Sequence, residues 1–268
     1  IADFCDDANL SDRFSEFEPE YSPDIGPLCR RLNSLVRERL RRENPGLNKE
    51  NMEIAALLLH SGILSDPDNI TVVDMCAGIG KLAMSAIYLR GSMFTSAVCV
   101  ERDQTRQEVF RSVLNSIFDG DNPRVCFEFK DAGEFQFGRV DSTSYCVAKH
   151  ACGPATDSII TNIVNTDRET VPRRSVIMPC CYGNITDLPP SLERSNIPIT
   201  REQWQLLTCT ADAVSSEFDL ERQIGRIAMR MTDTLRISSL PDHITGKVIE
   251  LLPPSASNKN HGIILSKA

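Results

Sequence analysis

Apolar positions along the chain follow two different spacings, and the change between them divides the sequence. From Pro27 to Leu64 they recur at helical spacing with a break at residues 44–48, which predicts two helices. After the turn-forming segment SDPDN, short strand-like apolar runs alternate with helical segments as far as SVIMPC. Strands that alternate with helices indicate βαβ units and a parallel sheet.

The last part of the chain predicts a long helix and then two strands. The helix spans Ser215 to Arg236, and the segments TGKVIELLP and HGIILSKA follow it, joined by the turn-rich PSASNKN. Two strands joined by a short turn form a hairpin, so the last strand is expected to be antiparallel to its neighbour. We therefore predict an α/β fold over residues 65–268: a Rossmann-like, doubly wound sheet of seven strands with an antiparallel last strand. Residues 1–64 are expected to form a helical extension that begins with an acidic arm over residues 1–26.

Composition excludes several classes of protein. Hydrophobic residues make up 41% and charged residues 25% of the chain, which is typical of a folded domain with a core. No apolar run approaches the roughly 18–20 residues of a membrane span, and the first residues are acidic, so we expect no membrane association and no export signal. Ten cysteines are too few for a disulfide scaffold. We expect them to be reduced, in an intracellular protein of the cytoplasm or the mitochondrion.

The charge balance limits how the chain could bind nucleic acid. A formal net charge of −8 argues against binding through a general positive field. A local contact with RNA stays open, because the segment from Cys29 to Asn44 is rich in arginine and predicted to be helical. The alternative is that these arginines are only the solvated face of an amphipathic helix.

A glycine-rich turn after the first strand is the clearest candidate for chemistry. In VVDMCAGIGKLA, Gly78 and Gly80 open a helix and allow a ligand to approach the main chain. Glu101 ends the second strand some 20 residues later, where a carboxylate can accept both hydroxyls of a ribose. Both NAD and S-adenosylmethionine are compatible with this glycine turn and this carboxylate. Asp74 favours S-adenosylmethionine, because a carboxylate there repels phosphates but can pair with the ammonium group of a methionyl moiety.

This stretch resembles motif I of the class I S-adenosylmethionine-dependent methyltransferases. The resemblance implies that the cofactor is S-adenosylmethionine and that its contacts come from Asp74, Cys76, Gly78, Gly80, Glu101 and Asp131. Asp131 would then lie beside the adenine, and an ordinary loop or cap role is its alternative.

Two later strand ends strengthen the resemblance. They read VAKHACGPATD and VIMPCCYGNI, and they are similar to the KHLCG element of the tRNA 2′-O-methyltransferases. Together with LTCTADA, ERQIGRIAM and SNKNHGIIL, they resemble, in the same order, the methyltransferase-like region of the glutathione S-transferase C-terminal domain-containing proteins. The resemblance covers roughly Val72 to Ala268. Nothing before Ser65 resembles a glutathione S-transferase domain, so we infer no glutathione chemistry.

Four residues are expected around the methyl acceptor: His150, Cys152, Cys181 and Tyr182. His150 is the candidate base, because its ordinary pKa lies near neutrality. Lys149 could instead orient a phosphate or act as the base, and a solvent-facing lysine is the alternative. Tyr182 and Trp204 could stack on a nucleobase, with core packing as the alternative.

The cysteines allow two further interpretations. Cys152 and either Cys180 or Cys181 stand roughly where RNA cytosine-C5 methyltransferases place their two cysteines, one of which attacks the base. The same residues with His150 could bind zinc, but an HxC followed by adjacent cysteines is poor zinc spacing. Small cysteines often only pack. We expect no metal.

The sequence thus predicts an S-adenosylmethionine-dependent methyltransferase that acts on RNA, either tRNA or rRNA, alone or within a ribonucleoprotein. The alternative is an inactive methyltransferase fold that serves as a structural or assembly component of a ribonucleoprotein, such as a cytoplasmic or mitochondrial ribosome. The lack of an Asn-Pro-Pro-Tyr segment after the fourth strand supports that alternative. A nicotinamide-dependent oxidoreductase is disfavoured by Asp74 and by the antiparallel last strand.

Overall fold

The computed structural model describes most of the chain beyond residue 25. The described residues are 26–40, 46–91, 95–120, 122, 124–140, 143–183, 185, 187–195, 197–252 and 257–268. The predicted acidic arm lies outside them except for Gly26, as do residues 41–44 of the arginine-rich segment.

The predicted helices and strands occur in the expected order, with two additional helices over Pro190–Arg194 and Arg201–Asp212. The helices are α1 Gly26–Leu40, α2 Gly46–Ser61, α3 Lys81–Arg90, α4 Arg106–Phe118, α5 Pro154–Val164, α6 Pro190–Arg194, α7 Arg201–Asp212 and α8 Asp219–Arg236. The strands are β1 Ile70–Met75, β2 Thr95–Glu101, β3 Val125–Phe129, β4 Ser144–Lys149, β5 Arg174–Met178, β6 Ile244–Glu250 and β7 His261–Lys267. Among the described helices, none has both the length and the apolar character that crossing a membrane requires.

Seven strands form one sheet in the order β3-β2-β1-β4-β5-β7-β6. The first five are parallel to one another, and β7 is antiparallel to both of its neighbours, β5 and β6. Every residue of β1 is buried, because helices cover both faces of the sheet at its centre. The predicted fold class and the antiparallel last strand are confirmed.

Alternate residues of β1 belong to two separate cores. Ile70 and Val72 pack with α1, α2, α3 and α4, whereas Val73 and Met75 pack with α5 on the other face. Leu28 and Leu32 of α1 and Ile54 of α2 are buried in the first of these cores. The helical extension therefore packs directly on the sheet. The predicted domain boundary between residues 64 and 65 stays a prediction.

Residues of α7 and α8 pack with Tyr182 and Ile185, which follow β5, to form a third core. Helix α7 was not predicted, although Thr200 and Gln203 form a capping box that marks its start. Helix α8 begins at Asp219 instead of Ser215, after a short 3-10 turn over Ala213–Ser215. The apolar residues that predicted this helix largely face solvent: Phe218, Leu220, Ile224 and Ile227 are exposed.

Candidate functional site

The carboxyl ends of β1, β2, β3 and β4 border a cleft of about 220 Å³. Its lining includes five of the predicted site residues: Cys76, Glu101, Asp131, His150 and Cys152. Parallel strands bring their carboxyl ends to one edge of the sheet, which is where open α/β sheets bind ligands. The sheet therefore collects in one place residues that lie up to 76 positions apart in the sequence.

The two glycines of the turn have different surroundings. Gly78 has a φ of 57°, and no atom lies within 4 Å of the position that a Cβ would take. Gly80 has a φ of 74° at the N-cap of α3, and a Cβ there would lie 2.8 Å from the Phe110 ring. The space beside Gly78 is thus open to a ligand, whereas Gly80 is required mainly by packing against α4.

Backbone amides hold the Glu101 carboxylate at the cleft. Gly78 N donates to Oε2 at 2.8 Å, and Asp103 N donates to Oε1 at 2.9 Å. A carboxylate fixed in this way is ready to accept ribose hydroxyls without reorganisation. Asp131 lines the same cleft and also accepts from Gly133 N at 3.0 Å, which stabilises its own loop, and its contact with adenine stays a prediction.

Asp74 lies beneath the glycine turn and does not line the cleft. Its side chain is buried, and its Oδ2 accepts from Ala83 N at 3.1 Å, in the first turn of α3. Burial raises the pKa of Asp74 to about 7, against the lowering effect of the Ala83 amide. The predicted pairing of Asp74 with a methionyl ammonium group stays a prediction.

Cys76 follows β1 with a φ of 58°, an uncommon conformation for a residue other than glycine. Burial and the nearby carboxylates of Glu101, Asp74 and Asp131 raise the pKa of its thiol to about 12. Cys76 therefore lines the cleft as a neutral thiol and is not suited to act as a nucleophile.

His150 is paired with a carboxylate that the sequence did not single out. Its Nε2 lies 3.0 Å from Oε2 of Glu53, a residue of α2 whose side chain is only 4% exposed. An ionised carboxylate can only accept, so Nε2 donates in this pair, and in the neutral ring with this tautomer Nδ1 carries the lone pair. The His150 side chain is 44% exposed, and the backbone of this residue has a φ of 59°. The pair has the geometry of a general base with an orienting acid.

A second acid of α2 extends this pair into a larger charged cluster. Glu50 lies 2.7 Å from Nζ of Lys81 and 3.3 Å from Nζ of Lys149. Burial works against ionisation of Glu50, but hydrogen bonds and charges from both lysines lower its pKa overall. Lys149 is therefore an ion-pair partner in this structure. We call Glu50, Glu53, Lys81, Lys149 and His150 the acid–base cluster.

The cysteines that follow β4 and β5 lie together. Cys152 and Cys180 form a disulfide, which contradicts the expectation that all cysteines are reduced. The Sγ atom of Cys181 lies 3.5 Å from that of Cys180. These residues meet because β4 and β5 are adjacent parallel strands, with Lys149 opposite Met178 at their ends.

Tyr182 does not reach the cleft, which corrects the prediction that it contacts an acceptor. Its side chain is completely buried, and its hydroxyl donates to Oδ2 of Asp233 at 2.8 Å. Trp204 is also completely buried, in the same core. Both aromatic residues pack α7 and α8 against the loop after β5, and neither has a face available for a nucleobase.

A larger groove of about 890 Å³ adjoins the cleft, and Pro154 and Ser158 line both. Its described lining residues include no lysine or arginine. Four of them are acidic, Glu134, Asp157, Asp167 and Asp187, of which Asp157 forms an ion pair with Arg236 and Asp187 with Arg201. The groove therefore suits an uncharged or cationic part of an acceptor better than a phosphate.

A family model described as a methyltransferase domain matches residues 49–187, which is 139 of the 268 residues. The mouse and human glutathione S-transferase C-terminal domain-containing proteins are 34% and 30% identical to this chain over 125 and 124 residues. Each match covers 44% of this chain and only 19% of the relative. Among solved structures, the SAH-bound methyltransferase PaMTH1 of Podospora anserina is 10% identical with a TM-score of 0.48, covering 98% of this chain and 97% of that one.

Proposed function

Because the chain belongs to the family defined by this methyltransferase domain, we propose that it transfers a methyl group to RNA, either tRNA or rRNA. The family uses S-adenosylmethionine, which supplies a methyl group on a positively charged sulfur. An RNA acceptor is supported by the arginine-rich α1 and by the KHACG segment.

The described cleft fits the cofactor. The open side of Gly78 leaves room that a Cβ would fill, Glu101 is fixed where it can accept two hydroxyls, and Asp131 lies beyond it. Methyl transfer of this class is a direct displacement, so the protein contributes mainly by holding donor and acceptor in line.

The observation that carries the proposal is the His150–Glu53 pair at the same cleft. An acceptor hydroxyl or amine must lose a proton when it takes the methyl group, and His150 Nδ1 is able to accept it. Glu53 holds the ring in the required tautomer and stabilises the charge that the ring gains. A nucleophile that carries no proton would not need this pair, so we assign a hydroxyl or an amine as the acceptor.

Support for RNA comes from the arginine-rich helix and from the resemblance of KHACG to the KHLCG element. Arg30 and Arg31 of α1 are exposed and offer cations for phosphates. The larger groove has no cation in its described lining, so it suits the base and sugar of the acceptor nucleotide.

Calorimetry of the chain with S-adenosylmethionine and S-adenosylhomocysteine tests the first half of the proposal, with NADH as the control. We expect micromolar binding of both sulfur ligands and none of NADH. Glu101→Gln should weaken binding at least tenfold because it loses charge-assisted hydrogen bonds, whereas Glu134→Gln should bind like the wild type. Equal binding by E101Q would contradict the assigned site.

Transfer of a labelled methyl group to total tRNA, total rRNA and a basic peptide tests the second half. We expect RNA to be labelled and the peptide to remain unlabelled. Arg30→Glu combined with Arg31→Glu should weaken RNA binding and reduce its salt dependence without changing cofactor affinity. Labelling of the peptide alone would replace RNA with a cationic protein substrate, in agreement with the acidic groove.

A second candidate is an inactive fold that serves in a ribonucleoprotein. The burial of Asp74 favours it, because the residue expected to hold the methionyl ammonium does not line the cleft. The same calorimetry separates the two functions, since this candidate should bind S-adenosylmethionine and S-adenosylhomocysteine weakly or not at all.

A further inference from the structure

We propose that Cys152, Cys180 and Cys181, in their reduced form, bind one thiophilic divalent cation, preferably zinc, beside the cleft. This inference goes beyond methyl transfer and does not depend on the identity of the acceptor. The three Sγ atoms all lie within 4.8 Å of one another, and those of Cys180 and Cys181 are 3.5 Å apart. Three sulfurs at about 2.3 Å from a tetrahedral zinc ion lie about 3.8 Å apart, so small side-chain rotations suffice.

Backbone contacts, independent of the sulfur atoms, keep the three cysteines together. Gly153 N donates to Cys181 O at 2.8 Å, and Ala151 N donates to Met178 O at 3.3 Å. These bonds tie the loop after β4 to the loop after β5. The ligands therefore remain close together when the Cys152–Cys180 disulfide is reduced.

Asp212 fixes the far side of the cysteine loop. Its carboxylate oxygens accept from Tyr182 N at 3.1 Å and from Gly183 N at 2.7 Å. A Cβ on Gly183 would lie 2.7 Å from the Asp212 carboxylate, so a larger residue there would displace that carboxylate. Preorganisation of this kind lowers the entropic cost of assembling three ligands around an ion.

The three cysteines differ in burial. Cys180 is buried, Cys181 is partly buried, and Cys152 is exposed and lines the cleft. Helix α5 begins at Pro154, two residues after Cys152. A zinc ion with three protein ligands keeps a fourth position for water or a substrate atom. Cys152 places the ion beside the cleft.

A dithiol reductant converts the disulfide to two thiols with two electrons and two protons, and is itself oxidised to a disulfide. The cation then replaces the protons of the three thiols, which are released to solvent. The resulting site carries one net negative charge.

The test is metal analysis of the full chain, reduced with a dithiol, incubated with zinc and dialysed against metal-free buffer. We expect about one zinc per chain by mass spectrometry, and at least a tenfold loss of zinc affinity in Cys181→Ser. The matched control is Cys209→Ser, since Cys209 is an exposed free cysteine of α7 and should keep full binding. No retained zinc, or equal zinc in C181S and wild type, would overturn the proposal.

Cobalt provides a measurement that does not depend on the folding of the serine variant. Wild-type chain loaded with Co²⁺ should show strong thiolate-to-cobalt charge-transfer absorption and the visible bands of a tetrahedral site. Cys181→His should keep the tetrahedral bands while its charge-transfer absorption falls by roughly a third, as one of three thiolates is replaced. Absence of charge-transfer absorption in the wild type would exclude thiolate ligation. Calorimetry with S-adenosylmethionine on the same samples shows whether the cleft is intact, which separates failure of this site from failure of the proposed function.

Discussion

Arg236, at the C-terminal end of α8, donates to both carboxylate oxygens of Asp157 in the first turn of α5, at 2.9 and 3.1 Å. The guanidinium is completely buried and also donates to Asp233, which in turn accepts from the Tyr182 hydroxyl. Asp157 ends the ATD of HACGPATD and Tyr182 belongs to CCYG, so one buried network joins two of the sequence segments that carried the resemblance.

Arg236→Met should lower the free energy of unfolding by about 3–5 kcal/mol, because it leaves two buried carboxylates without their cation. Urea denaturation measures the change. Arg222→Met is the control: its ion pair with Asp219 is exposed, so the expected change is below about 1 kcal/mol. Equal losses in the two variants would show that the buried network has no special role.

His150→Ala should reduce kcat for methyl transfer by about 10²–10⁴-fold, the usual contribution of a general base. Glu53→Gln should reduce kcat by about 10- to 100-fold, because the ring loses its orienting carboxylate while the base remains. The dissociation constant for S-adenosylmethionine should change by less than about twofold in both.

Two further variants separate positioning by Glu53 from a general loss of structure. Glu53→Asp should recover part of the lost kcat, whereas Glu108→Gln, on the exposed face of α4, should leave the rate unchanged. A fall in cofactor affinity that parallels the fall in kcat would argue against the assigned role of Glu53.

Asp74 should make stability depend on pH in a direction opposite to that of most acids. Its folded pKa of about 7 lies above the ordinary value of 3.8, so folding favours the protonated form. The stabilisation is fully present below about pH 4 and is lost as the pH rises through 7. Asp74→Asn does not titrate, so the wild type should lose up to about 4 kcal/mol relative to it between pH 4 and pH 8. Parallel unfolding free energies over this range, measured in urea, would contradict the raised pKa.

Gly225→Ala should destabilise the protein by about 1–3 kcal/mol, although alanine is the better helix former. A Cβ at this position of α8 would meet the Val214 backbone and lie 2.8 Å from the Ala213 carbonyl carbon. Gln223→Ala, on the exposed face of the same helix, should be neutral or slightly stabilising. Thermal unfolding of the two variants distinguishes these effects, and an increase in Tm for G225A would refute the packing argument.

The sheet and one side of the site could be predicted because their signals are local. A buried run that ends in VVDMCAGIGK gives both β1 and the glycine turn, and Glu101 ends the next strand within the same βαβ unit. Glu53 could not be found in this way, because it lies 97 residues before His150 and meets it only when α2 packs on the sheet.

The three cysteines and Tyr182 also show that local sequence does not determine which side chains meet in the fold. The spacing of Cys152, Cys180 and Cys181 is poor for a metal site, yet the pairing of β4 with β5 brings the three sulfurs together. Tyr182 stands in a segment typical of an active site, but a carboxylate from α8 holds it in the core. In both cases tertiary structure decides what the local pattern leaves open.

The position of β7 has a consequence for how the protein is made. This strand lies between β5 and β6, so β5 has no partner on that side until His261–Lys267 has left the ribosome. During synthesis, a nascent chain that has already completed the cofactor cleft still presents an unpaired strand edge. Such edges recruit other chains, so the interval before β7 is added is when protection by a chaperone matters most.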